Sequence, residues 1–296
     1  MITFAFLSHH SQDLIKKNVE IISRYGLDIF FLIIENSLDQ KLKIELESKY
    51  KNLKVFIPGE NLGFSKGMNK AVELCKTNFI FLNPADVIIP FECAKGIIDC
   101  IKNFDEFTLL APTYNNEVIF KNYEENIFSS ESEIKNLKII NNKYNLQQVD
   151  WIDGTFIVNK KNIKHHQIMD ENFFIYFETM DMCLNFRKNN NKMYVIKNLK
   201  FDHLGQQSHD KSYNFEAQLS RCWHYNWSKF YYLKKNYSYL FALKKSIPIL
   251  FKFITKCLIN KIMLRNNEFK LNKAEISGLI NSMMNKKSYY RPYLKK

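Results

Sequence analysis

The chain has 296 residues, about twice the length of an ordinary domain, so one large domain with an appendage and a pair of domains are both possible. Hydrophobic residues make up 46% of it and aromatic residues 15%, which excludes a disulfide-stapled miniprotein and pervasive disorder. The formal net charge of +13 is compatible with a nucleic acid, an anionic membrane or a phosphorylated substrate as partner.

The positive charge is concentrated towards the C-terminal end. Residues 209–296 hold 18 Lys and Arg against 4 Asp and Glu, whereas residues 1–208 hold 25 against 26. We therefore predict a near-neutral domain over 1–208 and a basic extension over 209–296. The six cysteines form no C-x-x-C pair and no signal peptide precedes the first strand-like run, so we expect a reduced, cytoplasmic compartment.

The first 86 residues alternate between strand-like and helix-like segments. Their order is strand 3–7, helix 12–25, strand 28–34, helix 38–50, strand 54–57, helix 65–75 and strand 78–82. Because parallel strands need helical crossovers, this order predicts an α/β fold with a mostly parallel sheet that is covered on both faces. Ligands of such sheets bind beyond the carboxyl ends of the strands.

Polar residues follow each of the four strands. They are Ser8, His9 and His10, then Glu35, Asn36 and Ser37, then Asn61, and last Asn83 and Asp86. Polar loops are common after strands, but four of them at one edge of a sheet favour a ligand site. Asp86 is a candidate ligand for Mg²⁺ or Mn²⁺ held against a nucleotide diphosphate. The alternative for an Asp that follows Asn-Pro is an ordinary loop residue.

The second hundred residues are less regular. Residues 113–148 are polar and Asn-rich, which predicts a variable excursion with some β structure. Strand-like sequence returns at 149–158 and 193–196, with the segment 201–205 after it, and the aromatic run 173–177 leads into a predicted helix. The chain has no G-x-x-x-x-G-K-[ST] phosphate loop, so a P-loop ATPase is not supported.

Two carboxylates at the start of that helix are candidates for acid–base chemistry. Glu178 and Asp181 are three residues apart and so share one face of the helix. They are either a capping pair without chemical function or include a general base that deprotonates an acceptor hydroxyl. The apolar residues before Glu178 would give a base low-dielectric surroundings. His203 is either a structural histidine or a further metal or phosphate contact.

Five segments resemble motifs of the family 2 glycosyltransferases, in particular the bacterial rhamnosyltransferase-like branch, and occur in the same order. They are Asn61–Asn69 (Asn-x-Gly-Phe-x-x-Gly-x-Asn), Leu82–Asp86, Asp150–Gly154 (Asp-Trp-x-x-Gly), Phe173–Cys183 and His203–Ser208. The resemblance implies a GT-A fold, with a nucleotide-binding half over about 1–112 and an acceptor half over about 113–208. It also implies inverting, metal-dependent transfer of a sugar from a nucleotide-diphosphate donor.

The resemblance extends to individual residues. It implies that Asp86 is the metal and diphosphate ligand and that Glu35 and Asn36 contact the base or ribose. His203 stays the second candidate metal ligand. The expected donor-binding residues are Ser8, His9, Glu35, Asn36, Asn61, Gly63, Phe64, Gly67, Asn83, Asp86, Trp151 and Gly154.

The sequence departs from the family pattern at two positions. Thr179 stands where the family commonly has an Asp that is often assigned as base, so the base would be Glu178, which we favour, or Asp181. Ala85 is an extra residue before Asp86.

In the basic extension, apolar residues recur at helical spacing from Ser246, with Pro248 in the expected first turn. They are Ile247, Leu250, Phe251, Ile254, Leu258 and Ile262. A spanning helix is disfavoured, since each interrupting lysine costs about 2.5–3.5 kcal/mol near the bilayer centre. We expect an in-plane helix on an anionic membrane surface; the alternative is an amphipathic helix packed on the domain. No nucleic-acid motif accompanies the charge.

Together these observations predict a cytoplasmic glycosyltransferase that is peripherally associated with the inner membrane. It would add a sugar, with rhamnose as one candidate, to a lipid-linked or surface-glycan acceptor of the cell envelope. Thr179 leaves open a catalytically silent relative that only binds sugar nucleotides. The basic charge leaves open a nucleic-acid-binding protein with a degenerate transferase fold.

Overall fold

The computed structural model describes residues 1–23, 26–114, 135–152, 154–203 and 214–291, without the side chains of 135–137, 202 and 203. Contacts divide the chain into two compact units. The first unit comprises Met1–Leu62, Gly67–Ile168 and Met182–His209, and the second comprises Gly63–Lys66, Met169–Asp181 and Asp210–Lys296.

The described part of the chain contains ten strands and eight α-helices. The strands are β1 (Ile2–Ser8), β2 (Ile29–Glu35), β3 (Leu53–Phe56), β4 (Phe79–Pro84), β5 (Val87–Ile88), β6 (Leu109–Tyr114), β7 (Lys135–Ile140), β8 (Tyr144–Gln148), β9 (Phe156–Asn159) and β10 (Met193–His203). The helices are α1 (Gln12–Ser23), α2 (Gln40–Lys49), α3 (Gly63–Leu74), α4 (Phe91–Asn103), α5 (Glu178–Lys188), α6 (Asn214–Asn236), α7 (Tyr239–Ile262) and α8 (Asn266–Met283).

All ten strands belong to one mixed sheet in the first unit. Its order is β3-β2-β1-β4-β9-β6-β10-β8-β7, and β5 pairs with β10. The strands β1 to β4 run parallel to one another, as predicted, while β9 lies antiparallel between β4 and β6. The carboxyl ends of β1, β2 and β4 therefore meet at one edge of the sheet.

The apolar strands of the first unit are buried because helices pack on both of their faces. Phe4 and Phe6 share a core cluster with Ile15 and Val19 of α1. Leu7, on the opposite face of β1, meets α3, where a Cβ added to Gly67 would lie 2.5 Å from the Leu7 Cδ1 atom. Glycine at position 67 thus permits close packing of α3 on β1.

Two of the predicted strands have different bounds in the structure. The strand expected over 149–158 forms only over Phe156–Asn159. The strand expected over 193–196 extends to His203 as β10, which carries a register shift between Ile196 and Lys200 against β6. The irregularity falls at the polar residues Lys197 and Asn198.

The predicted start of α7 at Ser246 is wrong. Ser238 caps the helix, since its Oγ accepts a hydrogen bond from the Phe241 N–H at 3.1 Å. Pro248 therefore lies inside the helix, where it has no N–H to donate to the preceding turn. Cap chemistry several residues upstream decides where this helix begins.

The second unit is built on two tryptophans of α6, and the predicted helical extension is confirmed. The Trp223 Nε1 atom donates to Ser277 Oγ at 3.2 Å. At Gly278 an added Cβ would lie 2.1 Å from the Trp223 carbonyl oxygen, so α6 and α8 approach closely there. Ser282 Oγ of α8 donates to the Trp227 carbonyl oxygen at 2.8 Å.

His224 of α6 is a fully buried neutral imidazole. Its Nε2 donates to the Tyr290 carbonyl oxygen at 2.7 Å, and its Nδ1 lies 3.1 Å from Ser288 Oγ. Burial lowers the pKa of His224 to about 3, with the hydrogen bond to Tyr290 opposing and the charge of Arg291 adding to the shift. The folded protein therefore keeps this side chain uncharged in mildly acidic solution.

Stability is expected to fall as the pH falls from 7.5 to 5. The unfolded chain protonates His224 near pH 6.5 whereas the folded chain does not, which lowers the free energy of unfolding by about 2 kcal/mol through this residue. Denaturant unfolding of wild type and His224→Phe at both pH values measures this change in the free energy of unfolding. The variant is expected to lose less stability than wild type by that amount, and equal losses would contradict the buried neutral imidazole.

Candidate active site

Three buried polar atoms lie at the carboxyl ends of neighbouring parallel strands. They are Ser8 Oγ of β1, Glu35 Oε2 of β2 and Asn83 Oδ1 of β4, and none has a hydrogen-bond partner among the described residues. Ser8 is the register partner of Glu35, and Asn83 that of Phe6, so side-chain alternation puts all three on one face. A buried unpaired polar atom costs about 1–3 kcal/mol, so this strand-end cluster is suited to a ligand.

Neighbouring residues orient the strand-end cluster. Ser37 donates to Glu35 Oε1 from its N–H at 2.7 Å and also from its hydroxyl. The Asn36 N–H donates to the Ser8 carbonyl oxygen at 2.8 Å, and Asn36 Oδ1 accepts from the Leu62 N–H at 3.3 Å. Asn36 thus links the loops after β1, β2 and β3, and Asn61 precedes Leu62 in the last of these.

The two histidines after β1 lie at the same edge. The rings of His9 and His10 are 4.6 Å apart between centroids. His10 has a φ of 54°, and its N–H donates to Ser37 Oγ at 3.2 Å. These contacts position His9 next to the loop that follows β2.

Asp86 lies in the turn between β4 and β5 and is buried. Pairing of β5 with β10 puts the backbone of His203 opposite Val87, next to Asp86 in sequence. The His203 side chain lies outside the described residues, and so do Gly205, Gln206 and Ser208. No group of three His, Cys, Asp or Glu side chains forms a metal site in the described part of the chain. A metal fits here only if donor phosphate oxygens complete the single described carboxylate.

Asn18 holds the Asp86 turn, although no motif points to it. This fully buried residue of α1 donates from Nδ2 to the carbonyl oxygens of Val87 at 3.1 Å and Ala85 at 3.4 Å. Its Oδ1 accepts from the Ile89 N–H at 3.0 Å. An asparagine on the buried face of an amphipathic helix is the sequence signal that identifies such a residue.

In the second unit, the glycine that begins α3 is required by its backbone and its surroundings. Gly63 has a φ of +71°, which favours glycine. An added Cβ would lie 2.5 Å from the Phe174 carbonyl oxygen and 2.4 Å from its Cδ2 atom. The following residue, Phe64, donates its N–H to the same carbonyl oxygen at 2.7 Å. Gly63 and Phe64 therefore contact the aromatic run at 173–177.

The two predicted carboxylates lie in the first turn of α5, in different surroundings. Glu178 is buried directly after the aromatic run. Asp181 is fully buried, with Oδ2 at 2.7 Å from Lys235 Nζ and Oδ1 accepting from Asn236 Nδ2 at 2.8 Å. Because both oxygens of Asp181 are held by α6, Asp181 is suited to fixing this turn, and Glu178 is the better candidate base. Thr179 is also buried.

Asp150 and Ile152 contact the later turns of α5. Asp150 Oδ2 is 3.5 Å from Arg187 Nη1, and the Ile152 carbonyl oxygen accepts from Cys183 Sγ at 3.6 Å. Trp151, which lies between these two residues in sequence, is therefore held beside this helix, while Asp153 lies outside the described residues.

Comparisons with known proteins show a likeness in fold without a likeness in sequence. No protein-family model matches the chain, and no curated protein matches it. The mannosyltransferase PcManGT from Pyrobaculum calidifontis, in complex with GDP-Man and Mn²⁺, matches with a TM-score of 0.54 at 9% identity, over 97% of this chain and 88% of that chain. S. aureus TarS 1-349 in complex with UDP matches with a TM-score of 0.53 at 14% identity, over 98% and 93%.

These matches confirm the predicted fold. The chain has an α/β fold of the GT-A type, with a mixed, largely parallel sheet and long C-terminal helices. At identities of 9% and 14%, the two matches show the fold of this chain alone. The family 2 and rhamnosyltransferase-like assignments stay predictions.

Asn18→Ala is expected to reduce the free energy of unfolding by about 1–3 kcal/mol, because it leaves the buried Ile89 N–H without its acceptor. Denaturant unfolding measures the change. The matched control is Asn103→Ala, since Asn103 is an exposed helical asparagine that donates to the Asp99 carbonyl oxygen at 2.8 Å. The control is expected to change stability by less than about 0.5 kcal/mol. Equal effects of the two substitutions would contradict the role given to Asn18.

Proposed function

We propose that this protein is a glycosyltransferase that uses a nucleotide-diphosphate sugar. The strand-end cluster carries the proposal, because ligands of open α/β sheets lie at this edge. A nucleoside offers N–H and hydroxyl donors to Glu35 Oε2 and Asn83 Oδ1, and hydrogen-bonding oxygens to Ser8. The complexes of PcManGT with GDP-Man and of TarS with UDP support this ligand class for the fold.

Asp86 is the proposed ligand of a divalent cation, Mg²⁺ or Mn²⁺, with His203 as the second candidate. The cation would supply positive charge against the departing diphosphate. Asn18 keeps the backbone of the Asp86 turn in place through hydrogen bonds to its neighbours. The Mn²⁺ in the PcManGT complex supports a metal in this fold.

Glu178 is the proposed base. In an inverting transfer the base takes the proton of the acceptor hydroxyl as its oxygen attacks the sugar. Glu178 is buried after an aromatic run, so water is largely kept from its carboxylate. Thr179 offers only a hydroxyl, which does not accept a proton at neutral pH. The acceptor we propose is a lipid-linked or surface glycan, and rhamnose remains one candidate for the transferred sugar.

Glu178→Gln is expected to lower kcat by about 10²–10⁴-fold while leaving donor binding intact, because it removes only the proton acceptor. Thermal shifts with UDP-, dTDP- and GDP-sugars and Mn²⁺ identify the donor, and transfer or hydrolysis of that donor gives kcat. Glu171→Gln, at an exposed position of the preceding segment, is the control and is expected to keep wild-type kcat.

Two other outcomes of these assays would contradict the proposal. Stabilisation of wild type by a sugar nucleotide without any turnover would favour the catalytically silent alternative. The donor assignment would be wrong if no sugar nucleotide stabilised the wild-type protein and none served as its substrate.

We further propose that α7 binds an anionic membrane surface. Six apolar residues recur on one side of the helix at spacings of three, four and seven residues, and all are exposed. This α7 stripe consists of Leu240 (77% exposed), Ile247 (43%), Phe251 (66%), Ile254 (37%), Leu258 (58%) and Ile262 (81%). The alternative of a packed amphipathic helix would bury the stripe, whereas the fully buried side chains of α7 are those of Ala242 and Ser246.

The charge of α7 favours a lipid surface as its partner. The helix carries five lysines and no acidic residue. Each lysine near an anionic leaflet contributes about 1 kcal/mol of attraction. None of the described helices is both long and apolar enough to cross a bilayer, so the proposed binding is in the plane of the surface.

Phe251→Asp combined with Leu258→Asp is expected to abolish binding to vesicles of phosphatidylcholine and phosphatidylglycerol, because it puts negative charge into the stripe. Co-sedimentation measures binding. The control is Ile44→Asp, which changes an equally exposed residue of α2. Wild type is expected to bind vesicles of phosphatidylcholine alone much more weakly. Binding to oligonucleotides in place of vesicles, or dimerisation through the stripe, would contradict this proposal.

A further inference from the structure

Two consecutive residues immediately before Glu178 have left-handed backbone conformations. Tyr176 has a φ of 71° and Phe177 a φ of 67°. For bulky residues this conformation is unfavourable, and it persists only where the surroundings impose it. The turn decides how the chain enters α5 and therefore where Glu178 lies. The contacts that hold Tyr176 and Phe177 in this conformation come from α6.

One face of α6 contacts this turn. The Tyr225 ring lies 5.7 Å from that of Tyr176 and 5.4 Å from that of Phe177, measured between centroids. Ser228 Oγ donates to the Ile175 carbonyl oxygen at 2.9 Å. The Tyr232 ring lies 5.7 Å from that of Phe177. These α6 residues are three, four or seven positions apart, so they share one side of the helix.

The same face of α6 ends in an ion-pair network. Lys235 Nζ lies 2.7 Å from Asp181 Oδ2 and 2.7 Å from Asp170 Oδ2. Tyr231 donates its hydroxyl to Asp170 Oδ2 at 3.0 Å, and Asn236 donates to Asp181 Oδ1. One lysine therefore joins the two ends of the segment 170–181 around the strained turn. The α6 residues that hold the segment, here called the α6 clamp, are Tyr225, Ser228, Tyr232, Lys235 and Asn236.

Lys235 and Asp170 stay charged in this network. Burial on its own lowers the pKa of Lys235, but the hydrogen bonds and charges of Asp170 and Asp181 outweigh burial and raise it. Burial on its own raises the pKa of Asp170, but its bonds to Lys235, the Asn172 N–H and Tyr231 outweigh burial and lower it. An ion pair held in this way is rigid, because separating it would leave a buried charge unpaired.

We propose that the α6 clamp positions Glu178 for proton abstraction by holding Tyr176 and Phe177 in their strained conformation. The inference rests on the proposed function and deepens it. It makes the clamp residues positioning residues, with Glu178 as the group that touches the acceptor. A helix of the basic extension thereby belongs to the catalytic machinery, in addition to the membrane contact proposed for α7.

Lys235→Met tests the proposal, because it keeps most of the side-chain length and removes the charge that joins the two ends. The expected result is a fall in kcat of about 10²-fold, the effect of a displacement of about 1 Å. The KM for the donor is expected to stay unchanged, since the donor contacts lie in the strand-end cluster. Lys235→Arg is expected to recover most of kcat, because it restores both ion pairs.

Lys234→Met is the matched control. Its Nζ donates to Asn285 Oδ1 at 2.7 Å, outside the clamp, so wild-type kcat is expected. Ser228→Ala is a milder clamp variant that loses one hydrogen bond, for the case that Lys235→Met does not fold. Amide hydrogen exchange at 175–181 gives a readout independent of turnover. Faster exchange is expected in both clamp variants and not in Lys234→Met.

The outcomes separate this inference from the proposed function. Wild-type turnover together with unchanged kcat in the clamp variants, even if they are less stable, would overturn the inference alone. Absence of wild-type turnover with every donor would overturn the proposed function and the inference with it. Loss of kcat and faster exchange in the clamp variants, with a normal control, would support both.

Discussion

Burial of polar groups at the edge of an apolar sheet is the constraint that organises the first unit. Strands β1, β2 and β4 are covered on both faces, so a polar group at their carboxyl ends needs a partner in the protein or in a ligand. Asn36, Ser37 and Asn18 satisfy backbone groups and one oxygen of Glu35. The three atoms of the strand-end cluster remain, and a polar ligand bound there would complete the pairing that the sheet leaves open.

In the second unit, one buried charge joins the start of α5 to the end of α6. Asp181 has no exposed surface, and leaving such a carboxylate unpaired costs about 3–5 kcal/mol. Lys235 and Asn236 meet that requirement, and in doing so they tie the end of α6 to the start of α5. The proposed functions of α6 and α7 differ, since α6 supplies the clamp whereas α7 exposes an apolar stripe. The basic residues of the extension therefore include Lys235, which pairs with a buried carboxylate, as well as the lysines of α7.

The sequence predicts local structure well and distant contacts poorly. The bounds of β1 to β4 agree with the predicted strands to within two residues, because continuous apolar runs between amphipathic helices leave few alternatives. The start of α7 was missed because Pro248 suits a first turn as well as a kinked interior. The bonds from Ser228 to Ile175 and from Lys235 to Asp181 join residues 53 and 54 positions apart, and periodicity holds no information on such pairs. Asn18 is intermediate, since its position on a buried helix face is visible in the sequence but its partners are not.

Thr179 stands where the family pattern has an Asp that is often assigned as base, so the chain is either a working transferase or a silent relative. A protein that only bound a sugar nucleotide would need the strand-end cluster and the Asp86 turn. Binding alone would not require two strained aromatic residues and an ion-pair network around Glu178. Each of these features costs free energy unless its surroundings offset the cost. A strained turn held by several independent contacts is typical of a site that must keep one group in one position. The arrangement around Glu178 therefore favours a working base over a silent relative, with the carboxylate one residue before the position that the family pattern uses.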